Sequence, residues 1–213
     1  GCTTWTNANG NADFGTQQGG AVRSVNSNVY LVNCIVTNCS GRGAAIYNAT
    51  AIGCRILGGG GSSVIRSGKA FFSLFDGNAP SGAVVSYSTL VNCTVVNTAS
   101  PLYQGASSYA ANTIHALYSG GTGLSAVPGD NNYAVPKSEF GVLKNPFINP
   151  FEGDFRLREK DGCTIASYSS AMNGMELENL ADKGDRTLLK KVSVPEQYAY
   201  TGERLHLGCF ETA

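Results

Sequence analysis

Residues 1–135 hold four side chains able to do acid–base chemistry near neutral pH: the carboxylates Asp13, Asp76 and Asp130 and the imidazole of His115. Hydrolysis of a glycosidic bond takes two carboxylates roughly 5–9.5 Å apart, one to donate a proton and one to attack or to activate water. Elimination from a uronate takes a basic proton acceptor, with cations or Ca²⁺ to hold the carboxylate. Three clustered oxygen ligands for Ca²⁺ are not present in this region. A thiol nucleophile is the remaining option, and the chain has seven cysteines. Reactive thiols sit in basic, partly exposed surroundings, whereas these alternate with polar neighbours such as Arg55 and Thr94 and read as buried packing. There is no CxxC pair and no zinc-type ligand spacing, so neither a metal nor a cofactor is expected. The run Gly-Gly-Gly-Gly at 58–61 leads into Ser-Ser with no helix behind it, and reads as a turn rather than a phosphate cradle.

How close any two of these groups come is set by a repeat. The tetrapeptide LVNC occurs at Leu31 and again at Leu90. Between and beyond the copies, Asn33-Cys34, Gly53-Cys54, Ser73-Leu74, Asn92-Cys93 and Asn112-Thr113 follow at steps of 20, 20, 19 and 20. A second series keeps pace: GGAV at Gly19, GAAI at Gly43, SSVI at Ser62 and GAVV at Gly82. A period of this length is too short for a helix–turn–helix repeat of about 34 residues, and no 3.6-residue apolar pattern supports helices. Short β-rich runs broken at Gly, Asn and Ser fit a parallel β-solenoid, whose like positions stack about 4.8 Å apart. The spacing predicts an interior column of Cys34, Cys54, Leu74 and Cys93. It places Asn33 and Asn92 at the adjoining corner, where side-chain amides satisfy backbone groups left unpaired by the bend. In the coil around residues 71–78 two registers compete, Leu74/Asp76 inside or Ser73/Phe75 inside. One coil from Asp76 lie Ile56 and Val95 or Val96, so no carboxylate pair forms. Asp76 then reads as a turn or surface residue, and His115 and the terminal His206 as surface or structural ones.

Only 14% of residues are charged, against about 25% in an average domain. The formal net charge is zero, without the basic stripe that phosphate binding needs, which argues against nucleic acid as a partner. The charge is also uneven: residues 1–135 carry eight Asp, Glu, Lys or Arg and residues 136–213 carry twenty-two. The boundary drawn there gives coils over 1–135 and, over 136–213, a last coil and irregular cap on the same solenoid. Within the cap, residues 176–192 read as a short helix or an excursion. No apolar run of eighteen residues is present, so no membrane insertion is expected. No signal-peptide pattern opens the chain, and Gly1 falls inside repetitive structure, as in a piece of a longer protein. In-register parallel strands hold Cβ vectors side by side, a poor disulfide geometry. Free thiols are expected in the column, with Cys163 and Cys209 the candidate pair across the cap.

GGAV (19–22) and FDGN (75–78) resemble the paired GGA(I/V) and FxxN repeats of polymorphic outer-membrane and related adhesin-like proteins. The stretch NPFINPFEGDFRLREKDGCTIAS, with GDFRL at 153–157, resembles the segment that closes many bacterial cell-surface β-helix proteins, and GERLHLGCFE resembles their terminal strand. The resemblance implies a right-handed parallel β-helix of the pectin-lyase-like class, here about six coils with a C-terminal cap. It also implies an extracellular or cell-surface location, either secreted or associated with a bacterial outer membrane. In the strand series, the residue after the inward apolar one faces outwards by period-2 alternation. This stacks Arg23, Tyr47, Arg66, Ser86 and Gln104 on one face. Arg and Tyr in file suit sugar rings bearing uronate or sulfate groups. The expected function is therefore a non-catalytic structural or adhesin-like module that binds polysaccharide through Arg23, Tyr47 and Arg66. The alternative is the C-terminal part of a polysaccharide lyase or glycoside hydrolase whose catalytic coils lie upstream.

Overall fold

The computed structural model describes residues 19–25, 29–104, 107–119, 132–141, 144–157 and 209. These form a parallel β-solenoid with three walls. Sheet A contains β1 (Gly19–Arg23), β4 (Ser40–Tyr47), β7 (Gly60–Arg66), β10 (Ala83–Ser86) and β13 (Tyr103–Gln104). Sheet B contains β2 (Tyr30–Val32), β5 (Thr50–Ile52), β8 (Lys69–Phe71), β11 (Thr89–Val91) and β14 (Tyr109–Ala111). Sheet C contains β3 (Ile35–Thr37), β6 (Arg55–Leu57), β9 (Leu74–Asp76), β12 (Thr94–Val96), β15 (Ile114–Tyr118) and β16 (Tyr133–Pro136). Each coil runs B, C, A and then B of the next coil.

The corners explain why Asn and Gly are so frequent. Most walls end on one left-handed residue, a conformation costing most L-residues roughly 1–2 kcal/mol but open to Gly and tolerated by Asn. Between sheets B and C these are Asn33, Gly53, Phe72, Asn92 and Asn112, with φ between 49° and 62°. Between C and A they are Asn38, Gly58, Gly77, Asn97 and Leu117, and between A and B they include Asn48, Ser67 and Tyr87. The corner amides still join the ladder, as Asn33 N donates to Ile52 O (2.9 Å) and Gly53 N to Phe71 O (3.0 Å).

The residue after each left-handed one points inward, and here the expected column needs correcting. Leu74 is not part of it. Arg55 pairs with Leu74 and Leu74 with Thr94, so the residue stacked between Cys54 and Cys93 is Ser73. The left-handed series steps by 20, 19, 20 and 20 because the coil with β7 is one residue short. A bulge absorbs the difference: Gly41 faces Gly61, but Ala44 already faces Ser63. The competing registers at residues 71–78 are settled by the same shift. Phe75 lies inside with Ile56 and Val95, while Leu74 and Asp76 lie on the outer side of the wall.

Along this inner corner, the side chain of one coil serves the backbone of the coil before it. Ser73 Oγ accepts from Cys54 N (3.1 Å) and donates to Phe71 O (2.9 Å). Thr113 repeats the pattern with Cys93 N and Ala111 O, as does Ser88 at another corner with Gly68 N and Ser86 O. At the third corner Asn78 accepts from Gly59 N (2.7 Å) and donates to Ile56 O (3.0 Å). The FDGN asparagine is thus a buried strut. The thiols of Cys34, Cys54 and Cys93 lie 3.3–3.4 Å from the carbonyls of Val32, Leu31 and Ala70 in the same columns, and all are free.

Apolar side chains fill the interior in files: Val36, Ile56, Phe75 and Val95 from sheet C, Ala51, Ala70, Leu90 and Ala110 from B, and Ile46, Ile65 and Val85 from A. A second core lies outside sheet C. Leu74, Val96, Ile114 and Val135 are covered by a hairpin of β17 (Phe147–Asn149) and β18 (Asp154–Leu157), through Phe147, Phe155 and Leu157. Cys209 joins this second core, and its backbone N donates to Thr94 Oγ1 (3.1 Å). The hairpin therefore flanks several coils of one wall. Beyond its reach the wall stands open: Ile35, in the same file as Leu74, is 66% exposed where Leu74 is 1%. The residues 176–192 and Cys163 lie outside the described residues. Cys209 carries a free thiol.

Candidate functional site

Strand pairing places the last residues of the sheet A strands in one file. Arg23 faces Tyr47, Tyr47 faces Arg66, Arg66 faces Ser86 and Ser86 faces Gln104. Arg23 is exposed, Tyr47 and Arg66 are half-buried and Ser86 is buried. The Arg66 guanidinium carbon lies 5.8 Å from the centroid of the Tyr87 ring, within cation–π range. That contact holds the Arg66 head group beside an aromatic surface that is 51% exposed.

Two further files run beside this one around the corner into sheet B. The left-handed corner residues Asn48, Ser67 and Tyr87 form the first. The opening residues of the B strands, Tyr30, Thr50, Lys69, Thr89 and Tyr109, pair in register to form the second. Period-2 reading of the A strands did not reach Tyr87 or Lys69, because the corner breaks the alternation. The signal was available one residue further on: the positions after Tyr47, Arg66 and Ser86 repeat with the same step as the stripe itself.

Of the groups weighed for catalysis, Asp13, Asp130 and His206 lie outside the described residues, and Asp76 and His115 sit elsewhere and apart. Asp76 stacks between Leu57 and Val96, and its carboxylate accepts a hydrogen bond from Asn97 Nδ2 (2.7 Å). His115 lies in the interior rather than on the surface, facing Val95 on one side and Ala134 on the other. Its Nε2 shares a 3.1 Å hydrogen bond with Thr98 Oγ1, its ring stacks on Tyr118 (4.1 Å between centroids), and Nδ1 is buried without a partner. Burial pushes the imidazole down to about 3. The unfolded chain, with an ordinary histidine near 6.5, thus binds the proton more readily than the folded one. Stability is then expected to be complete above pH 6.5 and to fall as pH drops toward 3, by up to about 1.4 kcal/mol per pH unit. Urea midpoints at pH 7, 5 and 4 measure this, and His115→Leu should remove that part of the slope. An identical slope in the variant would contradict the buried, neutral ring.

Burial also raises the thiols of Cys54 and Cys93 and carries that of Cys209 up to about 12. All three stay protonated at neutral pH, the opposite of what a nucleophile needs. Among the described residues no cluster of three His, Cys, Asp or Glu could hold a metal ion. The remaining described carboxylates lie in the segments after the last strand of sheet C: Glu139 is paired with Lys144 (2.5 Å) and Asp154 with Arg156 (2.7 Å), while Glu152 lies in the turn of the hairpin. The Arg156 guanidinium holds the Asp154 carboxyl below its usual range. Comparison of the chain with protein-family models, with curated proteins and with solved structures finds no match in any of the three.

Proposed function

We propose that this chain is a non-catalytic β-solenoid module, secreted or displayed on a bacterial cell surface, which binds acidic polysaccharide along the outer face of sheet A. The observation that carries the reading is the in-register file of Arg23, Tyr47 and Arg66, with Tyr87 beneath the second guanidinium. Guanidinium groups pair with carboxylate and sulfate in a planar fork, and tyrosine rings present a flat apolar surface to a pyranose. A solenoid suits the role because a rigid, evenly ruled wall binds an extended polymer without ordering itself first. The GGA(I/V) and FxxN motifs and the GDFRL element support placement among adhesin-like β-helix proteins of the pectin-lyase-like class.

The test is retention on an array of acidic polysaccharides. Losing a charge-assisted pair costs about 1.5–3 kcal/mol, so Arg23→Ala with Arg66→Ala should weaken binding by at least a hundredfold while the circular dichroism spectrum stays unchanged. Undiminished retention would sink the proposal. So would release of new reducing ends or of unsaturated uronates from the same polymers, which would make the chain an enzyme.

A further inference from the structure

A cavity of about 260 Å³ opens on the corner between sheets A and B. Its lining comes from three successive coils: Asn48 and Thr50, then Ser67 and Lys69, then Tyr87 and Thr89. Ser67 is the short member of its file, set between Asn48 on the coil before and Tyr87 on the coil after. The cavity is thus bounded by an amide and an aromatic ring, with hydroxyls and one ammonium around it. These are the groups that recognise a polar ring bearing a negative charge.

The charges around this corner follow a pattern along the axis. Arg23 belongs to the coil that ends sheet A's first strand, and Arg66 and Lys69 flank the corner two rungs later. The rung between presents Tyr47, Asn48 and Thr50, and the rung after presents Ser86, Tyr87 and Thr89, all neutral. The two cationic rungs are therefore separated by one neutral rung, about 10 Å apart at the usual spacing of about 4.8 Å between paired strands. The rung that ends with Gln104 and Tyr109 is neutral again. No carboxylate stands in any of the three files, and the four described ones, Asp76, Glu139, Glu152 and Asp154, lie in sheet C or in the segments after it. An extended chain of pyranoses advances by about one ring length per residue, close to one rung.

We infer that the cavity is the subsite for one anionic sugar, and that the corner takes a polysaccharide carrying a single negative charge per disaccharide, laid along the solenoid axis. This rests on the reading of the sheet A face as glycan-binding and adds the position, direction and charge repeat of the ligand. Lys69 and Arg66 hold the charged sugar at the third rung and Arg23 the one before it. The neutral sugar between them lies over Tyr47. A polymer charged on every sugar would instead set uncompensated carboxylates against the neutral rungs.

Carboxylate and sulfate share this chemistry, and the probes separate them: hyaluronan carries one carboxylate per disaccharide, kappa-carrageenan one sulfate, and polygalacturonate a carboxylate on every sugar. In calorimetric titrations of the full chain, one or both of the first two should bind at least tenfold tighter than polygalacturonate. Lys69→Gln should weaken that binding about tenfold or more and lower its salt dependence, with thermal stability unchanged. Tyr87→Ala should weaken it while keeping the charge. Equal or tighter binding of polygalacturonate overturns the charge repeat. If Arg23→Ala and Arg66→Ala abolish binding but Lys69→Gln leaves it intact, the cavity is not the subsite although the face still binds glycan. Absence of binding to all three polymers overturns the face and the cavity together.

Discussion

Gly68→Ala is expected to destabilise the protein by about 3 kcal/mol, at the upper end of what one added methyl costs in a packed interior. Gly68 has an ordinary backbone conformation, so the cost does not come from φ. It comes from what the new Cβ meets: the carbonyl oxygen of Ala49 on the preceding coil lies well inside contact distance, with the Ile65 side chain at 3.3 Å behind it. A carbonyl of a paired strand cannot rotate away like a side-chain tip. It accepts the hydrogen bond from Lys69 N (3.3 Å) that starts the next B strand, so moving it opens the ladder at that corner. Gly77→Ala supplies the contrast. Nothing lies within 4 Å of its Cβ, and only the left-handed φ of 63° opposes the change, which is worth about 1–2 kcal/mol. Urea denaturation of both variants decides the matter. If the two lose equal stability, rung-on-rung closeness at Gly68 is not what selects glycine there.

Phe75→Ala should cost about 3–5 kcal/mol, the range for truncating a buried phenylalanine. For a chain of this size that is a fall of roughly 6–20 °C in the thermal midpoint. Phe75 is fully buried and stands in file between Ile56 and Val95, so the vacated space is walled by rungs above and below that cannot close in without breaking their own ladder bonds. A solenoid is stabilised chiefly by contacts between neighbouring coils, and this side chain sits at a middle coil with two such contacts to lose. Phe151→Ala is the control: that ring is 77% exposed, and its loss should stay within about 0.5 kcal/mol. A Phe75 variant as mild as the control would place the ring outside the core and would revive the other register.

The repeat was legible because most corner positions declare themselves. Asn33, Gly53, Asn92 and Asn112 are residues that accept a left-handed backbone, and they mark the bend at nearly constant intervals. Phe72 occupies the same conformation with no such signal, and the coil before it is a residue short. Aligning on apolar character therefore put Leu74 in the interior column, where the bulge opposite Gly61 in fact delivers Ser73. The Arg23, Tyr47 and Arg66 file was readable because strand alternation is locally reliable once an inward apolar residue is fixed. Tyr87 and Lys69 were missed because a corner resets that alternation. The outer apolar face of sheet C left a trace that period-2 reading overlooks: LFD, TVV and IHALY carry apolar residues at successive or adjoining positions, the mark of strands covered on both sides. What covers them comes from far along the chain, and that pairing is not written in any local pattern.

The short coil at β7 has an effect beyond register. Its missing residue is taken up before Ala44 and Ser63 meet, so the final stretch of the wall returns to step, and Tyr47 again faces Arg66. In this coil the slack is thus confined to the glycine-rich start of that wall, while sheet B and its bend into sheet C keep one length throughout. The bend from A to B is longer only after Arg23 and after Gln104. A solenoid built this way can gain or drop a residue on one side without skewing the line of cations on its flank.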